Sequence, residues 1–142
     1  MSTTTADRIL VGVDGSENSK DALRVATELS QALGAPLQAV MCWDSPYLYD
    51  SYSTIDPARF AAEAEELFAA TLTDVFGEHL PDNLTPQLIR GKTAEQLIEE
   101  SKTARLLVVG RRGTGGVLGS ILGSVSSALV SHAHCSVLVV RT

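Results

Sequence analysis

Cysteine is scarce: Cys42 and Cys135 are the only two among 142 residues, far apart in the chain and with no paired spacing. A disulfide framework is thereby excluded, and a reducing compartment is the better fit. Basic runs are missing as well. Eleven Lys and Arg against 17 Asp and Glu leave a net charge of −6 and a pI near 4.9, so neither nucleic acid nor an anionic membrane is expected as the main partner. Met1 to Asp7 is polar and Thr-rich rather than basic then apolar, which reads as a disordered tail over residues 1–7 and not as a secretory signal.

Charge is absent from Gly113 to Val140, where Gly115, Gly119 and Gly123 repeat every four residues, the spacing of paired membrane helices. Seven Ser or Thr residues, His132, His134 and the glycines argue against a span, and a cytoplasmic protein is expected. No linker or internal repeat divides the chain. With 44% hydrophobic and 20% charged residues, residues 8–142 read as one globular domain, able to bury roughly 70% of its unfolded surface.

What is present alternates. Arg8 to Asp14 reads as a short buried strand cut off by Asp14-Gly15-Ser16, with Ser16 the cap of a helix that Gly34 ends. Pro36 to Trp43 is the second strand. A thirteen-residue loop, Asp44 to Asp56, then carries Tyr47, Tyr49 and Tyr52, and loops of that length are usually functional or disordered. Asp56-Pro57 opens a second helix, with Phe60, Ala64, Leu67, Phe68, Leu72, Val75 and Phe76 as its inward stripe and Gly77 as its end. Leu84 to Arg90, Gly91 to Lys102 and Leu106 to Val109 follow as strand, helix and strand, and Val125 to Val130 and Val137 to Val140 as a last helix and strand. Such alternation implies an α/β fold: an open, five-stranded parallel sheet with helices on both faces, Rossmann-like, with right-handed crossovers. Ligands of such sheets bind beyond the carboxyl ends of the strands where strand order reverses. If the first and fourth strands are neighbours there, Asp14 and Gly110 face one crevice.

Asp14 is the only carboxylate directly at the end of a strongly apolar strand. It reads either as an acceptor for ribose hydroxyls or an adenine amino group, or as a turn residue capping the next helix. After the fourth strand, Gly110, two residues, Gly113, nine residues and Gly123-Ser124 form a loop between a strand and a helix. Glycines there permit close backbone approach, and Ser124, read as a cap, offers an N–H and a hydroxyl to phosphate. Two lookalikes fail. Gly91-Lys92-Thr93 has the tail of a P-loop, but Pro86 stands where its leading glycine belongs; Gly113-Thr114-Gly115 begins a dinucleotide fingerprint, but Leu118 replaces the third glycine. His132, His134 and Cys135 read as a helix end rather than a metal site.

Ile9-Leu10-Val11-Gly12-Val13-Asp14-Gly15-Ser16 with Ser19, Val108-Val109-Gly110-Arg111-Arg112-Gly113, and Gly123-Ser124-Val125-Ser126 together resemble the universal stress protein family over essentially the whole chain. In that family the long glycine motif marks members that bind ATP, commonly as homodimers paired through the last strand. The resemblance implies that Asp14 contacts the ribose and adenine side, with the Gly12 and Val13 backbone near the base and the Cys42 backbone at the adenine edge. It implies Val109, Gly110, Arg112 and Gly113 along ribose and phosphates, and Gly123, Ser124, Val125 and Ser126 holding phosphates through N–H and hydroxyl groups. The sequence departs from the family at Ser136, where proline is usual, and at Arg105, where an acid is common.

Catalysis has little support. His79, His132 and His134 fall on segments expected at the opposite edge, leaving no general base. Arg111 and Arg112 offset phosphate charge without positioning a water. The expectation is an ATP-binding stress-response module with no catalytic residues, slow hydrolysis at most, and Mg²⁺ shared between phosphates and solvent. AMP or cyclic AMP is the alternative ligand. An ATP-using ligase or pyrophosphatase would need a Ser-Gly-Gly-like loop after the first strand, and Asp14-Gly15-Ser16-Glu17 lacks the second glycine; an interaction module with an empty pocket is the third reading. The tyrosine loop reads equally as a lid over the adenine or as a surface loop at a dimer edge.

Overall fold

Strand β1 (Ile9–Gly12) lies at the centre of the molecule, and Ile9, Leu10 and Val11 are all fully buried. A strand that is apolar at successive positions must be covered on both faces. In the computed structural model, which describes residues 7–44, 56–112 and 122–141, helices cover both. The chain continues through α1 (Glu17–Leu33), β2 (Leu37–Trp43), α2 (Pro57–Phe76), β3 (Leu84–Arg90), α3 (Thr93–Ser101), β4 (Leu106–Gly110), α4 (Ser124–His132) and β5 (Ser136–Val140). The strands form one parallel sheet in the order β3-β2-β1-β4-β5.

Side chains alternate across the sheet, so odd and even positions of β1 enter different cores. Ile9, Val11, Ala39, Met41 and Val108 pack against Ala22, Leu23 and Ala26 of α1 and against Phe68 and Leu72 of α2. Leu10, Val40, Leu107 and Val109 face Leu97 of α3 and Leu129 of α4. Full burial of each such side chain is worth ~1.5–3 kcal/mol, against ~0–1 kcal/mol for an exposed ion pair. These two layers, rather than the six ion pairs among the described residues, therefore hold the sheet. At the amino edge, the Arg8 guanidinium bonds Gln38 of β2 and the Glu100 carbonyl and Thr103 hydroxyl at the end of α3.

The caps follow the sequence. Ser16 Oγ accepts from the Ser19 amide at 3.2 Å, Gly34 closes α1 at φ 63°, and Asp56 caps α2 with Pro57 at its start. Several boundaries differ from those expected. β1 stops at Gly12, because the Asp14 amide turns to the Ser19 hydroxyl at 3.2 Å instead of a neighbouring strand. Pro36 lies outside β2, its carbonyl accepting from Ile9. β4 gains Gly110 and β5 gains Ser136, because the two pair without a break from Leu106–Ser136 to Gly110–Val140. α3 begins at Thr93 because Lys92 is still extended, and α4 is longer at both ends than Val125 to Val130. Leu67, expected in the inward stripe, is 46% exposed.

Candidate functional site

The chain runs outward from β1 through β2 to β3, then returns to lay β4 on the other side of β1. Strand order therefore reverses between β1 and β4, whose Val11 and Val108 are register partners. The Asp14–Ser16 turn leaves one strand and Arg111–Arg112 the other. Register levels the rest: Gly12 lies opposite Val40, so Cys42 is as far along β2 as Asp14 is beyond β1, and Gly110 is level with Val13. At ~4.8 Å between strands, β2 and β4 stand about 10 Å apart across β1. Gly12, Val13, Asp14, Cys42, Val109 and Gly110 thus gather at one carboxyl edge, where α1 and α4 also begin. The first amides of each helix lack intrahelical partners and carry the positive end of its dipole.

The Asp14 turn is braced from within. Asp14 Oδ1 accepts from the Ser16 amide at 2.9 Å, and the Ser19 hydroxyl donates to the Ser16 carbonyl at 2.9 Å. The turn-residue role of Asp14 is therefore real, and it fixes the half-buried carboxylate at the crevice. Gly15 takes φ 88°, a left-handed conformation that suits glycine, and the space a Cβ would fill is taken by the Leu67 side chain, 2.9 Å from that point.

At the end of β4, a Cβ on Gly110 would lie 2.8 Å from the backbone of Asn18. Glycine here lets the first turn of α1 settle on β4, which draws Asp14 and the β4 end together. The loop leaving β4 is closed at its base: the Gly123 amide donates to the Arg111 carbonyl at 2.8 Å, and the Arg111 amide to Val140 at 3.0 Å. Gly123, not Ser124, is the residue before α4, and it supplies no side-chain cap; exposed Ser124 is the first helical residue. The Ser126 hydroxyl, expected at phosphate, is buried and donates to the Gly110 carbonyl at 2.6 Å. Among the described residues, Arg111 Nε is buried with no hydrogen-bond partner, and neither Arg111 nor Arg112 forms an ion pair. A donor and two cations without partners among the described residues, and the start of α4 without a side-chain cap, fit an anionic group at one loop base.

Cys42 turns its side chain to the α3 face. Burial pushes its thiol up to about 11; a hydrogen bond with Thr93 opposes that rise and the charge of Glu100 adds to it. The thiol is thus neutral near pH 7 and is spent on packing against the α3 side of the sheet. Val109 likewise spends its side chain on the α3–α4 core.

The histidines lie elsewhere. His79 follows α2 and precedes β3, while His132 ends α4 and His134 precedes β5, which puts all three at the amino edge of a parallel sheet. Among the described residues no group of three His, Cys, Asp or Glu is placed to hold a metal ion. Gly113, the tyrosine loop with Tyr47, Tyr49 and Tyr52, and residues 1–6 of the expected tail lie outside the described residues. Sequence reasoning missed Asn18, Leu67 and Thr93, which touch the site from α1, α2 and α3; only the apolar spacing of α2 pointed to any of them.

A sequence model described as the Universal stress protein family matches residues 5–141. Universal stress protein Rv2005c of Mycobacterium tuberculosis (strain ATCC 25618 / H37Rv) is 34% identical over 134 residues, covering 94% of this chain and 45% of that protein, so the chain spans about half the length of this relative. Among solved structures, universal stress protein UspA from Lactobacillus plantarum superposes with a TM-score of 0.76 at 26% identity, covering 99% of this chain and 100% of that one. A universal stress protein crystallised in complex with cAMP superposes with a TM-score of 0.70 at 22% identity, covering 98% and 99%. Fold, strand order and the match across nearly the full length agree: the chain belongs to the universal stress protein family.

Proposed function

We propose that this chain is an ATP-binding universal stress protein that holds the nucleotide across the carboxyl ends of β1 and β4, the occupied state biasing a dimer or a loop and so signalling energy state. The observation that carries the reading is Arg111 Nε, buried without a partner among the described residues at the base of the loop between β4 and α4. In this reading Asp14 meets the ribose, the backbone of Gly12, Val13 and Cys42 meets the base, and Val109 and Gly110 line the path to the phosphates. Arg111, Arg112, Gly113 and the amides of Gly123, Ser124 and Val125 hold the phosphates. Ser126 acts one step back, as the brace between α4 and Gly110. Bound Mg²⁺ would supply charge neutralisation on the phosphates, with water completing its shell. No histidine reaches the crevice, so holding rather than cleaving is the assigned task.

The complex of a family member with cAMP supports a second reading, in which a cyclic or monophosphate nucleotide takes the same site. Strand β5 is a sheet edge with half-buried Val137, Leu138 and Val139, which supports pairing with a second copy through that strand.

The test is direct. Purified protein is denatured, any released nucleotide is identified by chromatography and mass, and ATP, AMP and cAMP are titrated against the emptied protein. Adenine nucleotide in the extract and saturable ATP binding are expected; neither appearing would end the reading. Gly123→Val is the companion. Gly123 has φ −72° and ψ 170°, which a β-branched residue can adopt, so the fold should survive while ATP binding is lost. Retained affinity would show that the phosphate loop is assigned to the wrong residues.

A further inference from the structure

We propose that Leu67 is a positioning residue for the Asp14 carboxylate: helix α2 holds the ribose-binding turn from outside through one side chain resting on Gly15. The inference rests on the nucleotide reading above.

Three observations carry it. First, hydrogen bonds tie the turn to the start of α1, the Asp14 carboxylate accepting from the Ser16 amide and the Asp14 amide donating to the Ser19 hydroxyl. Its other side is Gly15, at φ 88°, with no side chain of its own to pack. Secondly, the volume of the missing Cβ is occupied by three carbons of Leu67, at 2.9, 3.1 and 3.2 Å from where it would stand. Thirdly, Leu67 is 46% exposed, whereas its neighbours Phe68, Thr71 and Leu72 carry the burial of α2. Its contact with the turn is thus separable from the core. Helix α2 is itself tied to the first turn of α1, since Lys20 bonds Asp74 at 2.6 Å and Glu17 at 2.8 Å. Leu67 therefore meets the Gly15 peptide from a helix that the packing of Phe68 and Leu72 holds against the sheet. Without it the peptide gains room to rotate, and the adjoining carboxylate loses its fixed direction.

This predicts a ligand-specific effect. Asp14 would act on ribose hydroxyls, so ATP is compared with 2′,3′-dideoxy-ATP, which has none. Leu67→Ala should weaken ATP binding about tenfold, near the worth of one hydrogen bond to a charged group. It should leave 2′,3′-dideoxy-ATP binding unchanged, and Leu67→Met, which refills the space, should restore ATP affinity. Asp14→Ala should show the same ligand pattern. If Leu67→Ala fails to fold, Leu67→Val, one methylene shorter, carries the same comparison. Equal loss for both nucleotides, or no loss for either, overturns the positioning role while leaving the nucleotide site standing. A wild type that does not distinguish the two ligands removes the ribose contact and this inference together. A wild type that binds neither overturns the site as well.

Discussion

The Ser126 hydroxyl lies 2.6 Å from the Gly110 carbonyl and donates to it, joining the first turn of α4 to the last residue of β4. The loop between these elements leaves and returns at nearly one point, because Gly123 also bonds Arg111. Ser126→Ala removes the donor and leaves a buried carbonyl without it, which should cost about 1–3 kcal/mol in denaturant unfolding. ATP affinity should fall as well, since the amides of α4 lose their tie to the strand. Ser126→Thr retains a hydroxyl and should recover most of both. A Ser126→Ala variant as stable as wild type would mean that the bond contributes nothing net.

Two glycines with left-handed φ separate strain from crowding. Gly34 has φ 63° with nothing within 4 Å of an added Cβ, whereas Gly15 has φ 88° and Leu67 in the way. Gly34→Ala should cost only the conformational penalty, roughly 1 kcal/mol. Gly15→Ala should cost more, and adding Leu67→Ala should recover part of the difference. Additive losses in this double-mutant cycle would show that the two side chains do not compete for the space.

Much of this arrangement is legible in the amino-acid sequence. Apolar runs at Ile9–Val11 and Leu106–Val109 mark buried strands because parallel strands are covered on both faces. Asp14, Gly110 and Gly123 stand out because each interrupts an apolar run with a residue that turns or opens the backbone. Contacts between elements are less legible. That Ser126 would bond Gly110 rather than face a ligand depends on how α4 sits on β4, and a serine has the same sequence signature in both roles. Leu67 fits the helical stripe of α2 as well as Phe68 does, yet only the pose of the helix decides which is buried and which rests on Gly15.

Cys42 supplies a pH signature. Burial raises its thiol from 9.0 to about 11. The folded state therefore holds a proton that the unfolded chain releases first. This contribution is fully present below pH 9.0 and is lost as pH rises from there through about 11. Unfolding free energy measured across that window should decline, and Cys42→Ala should flatten part of the slope. Cys135 is raised in the same direction by burial and accounts for some of the remainder. At pH 8 Cys42 should react slowly with iodoacetamide in the folded protein and quickly once unfolded, since the thiolate is the nucleophile. Equal rates in the two states would contradict the buried thiol.

Gly12 and Gly110 sit at the ends of neighbouring strands, yet alanine should act differently at each. A Cβ on Gly12 would meet Leu97 Cδ1 at 2.9 Å, the far end of a flexible side chain that can turn aside. A Cβ on Gly110 would meet the carbonyl carbon and oxygen of Asn18 at 2.8 Å, and backbone in the first turn of α1 cannot move without taking the Asp14–Ser16 turn with it. Gly12→Ala should therefore cost about 1–3 kcal/mol of stability, as overpacking does, and lower ATP affinity less than Gly110→Ala does. Gly110→Ala should lower stability and affinity together, because the displaced helix carries Ser16 and Ser19, which orient Asp14. Titration of ATP against both variants, with unfolding measured on the same preparations, separates the cases. Should Gly110→Ala bind ATP as wild type does while losing stability, the close approach of α1 to β4 serves packing alone and the carboxylate is held independently of it.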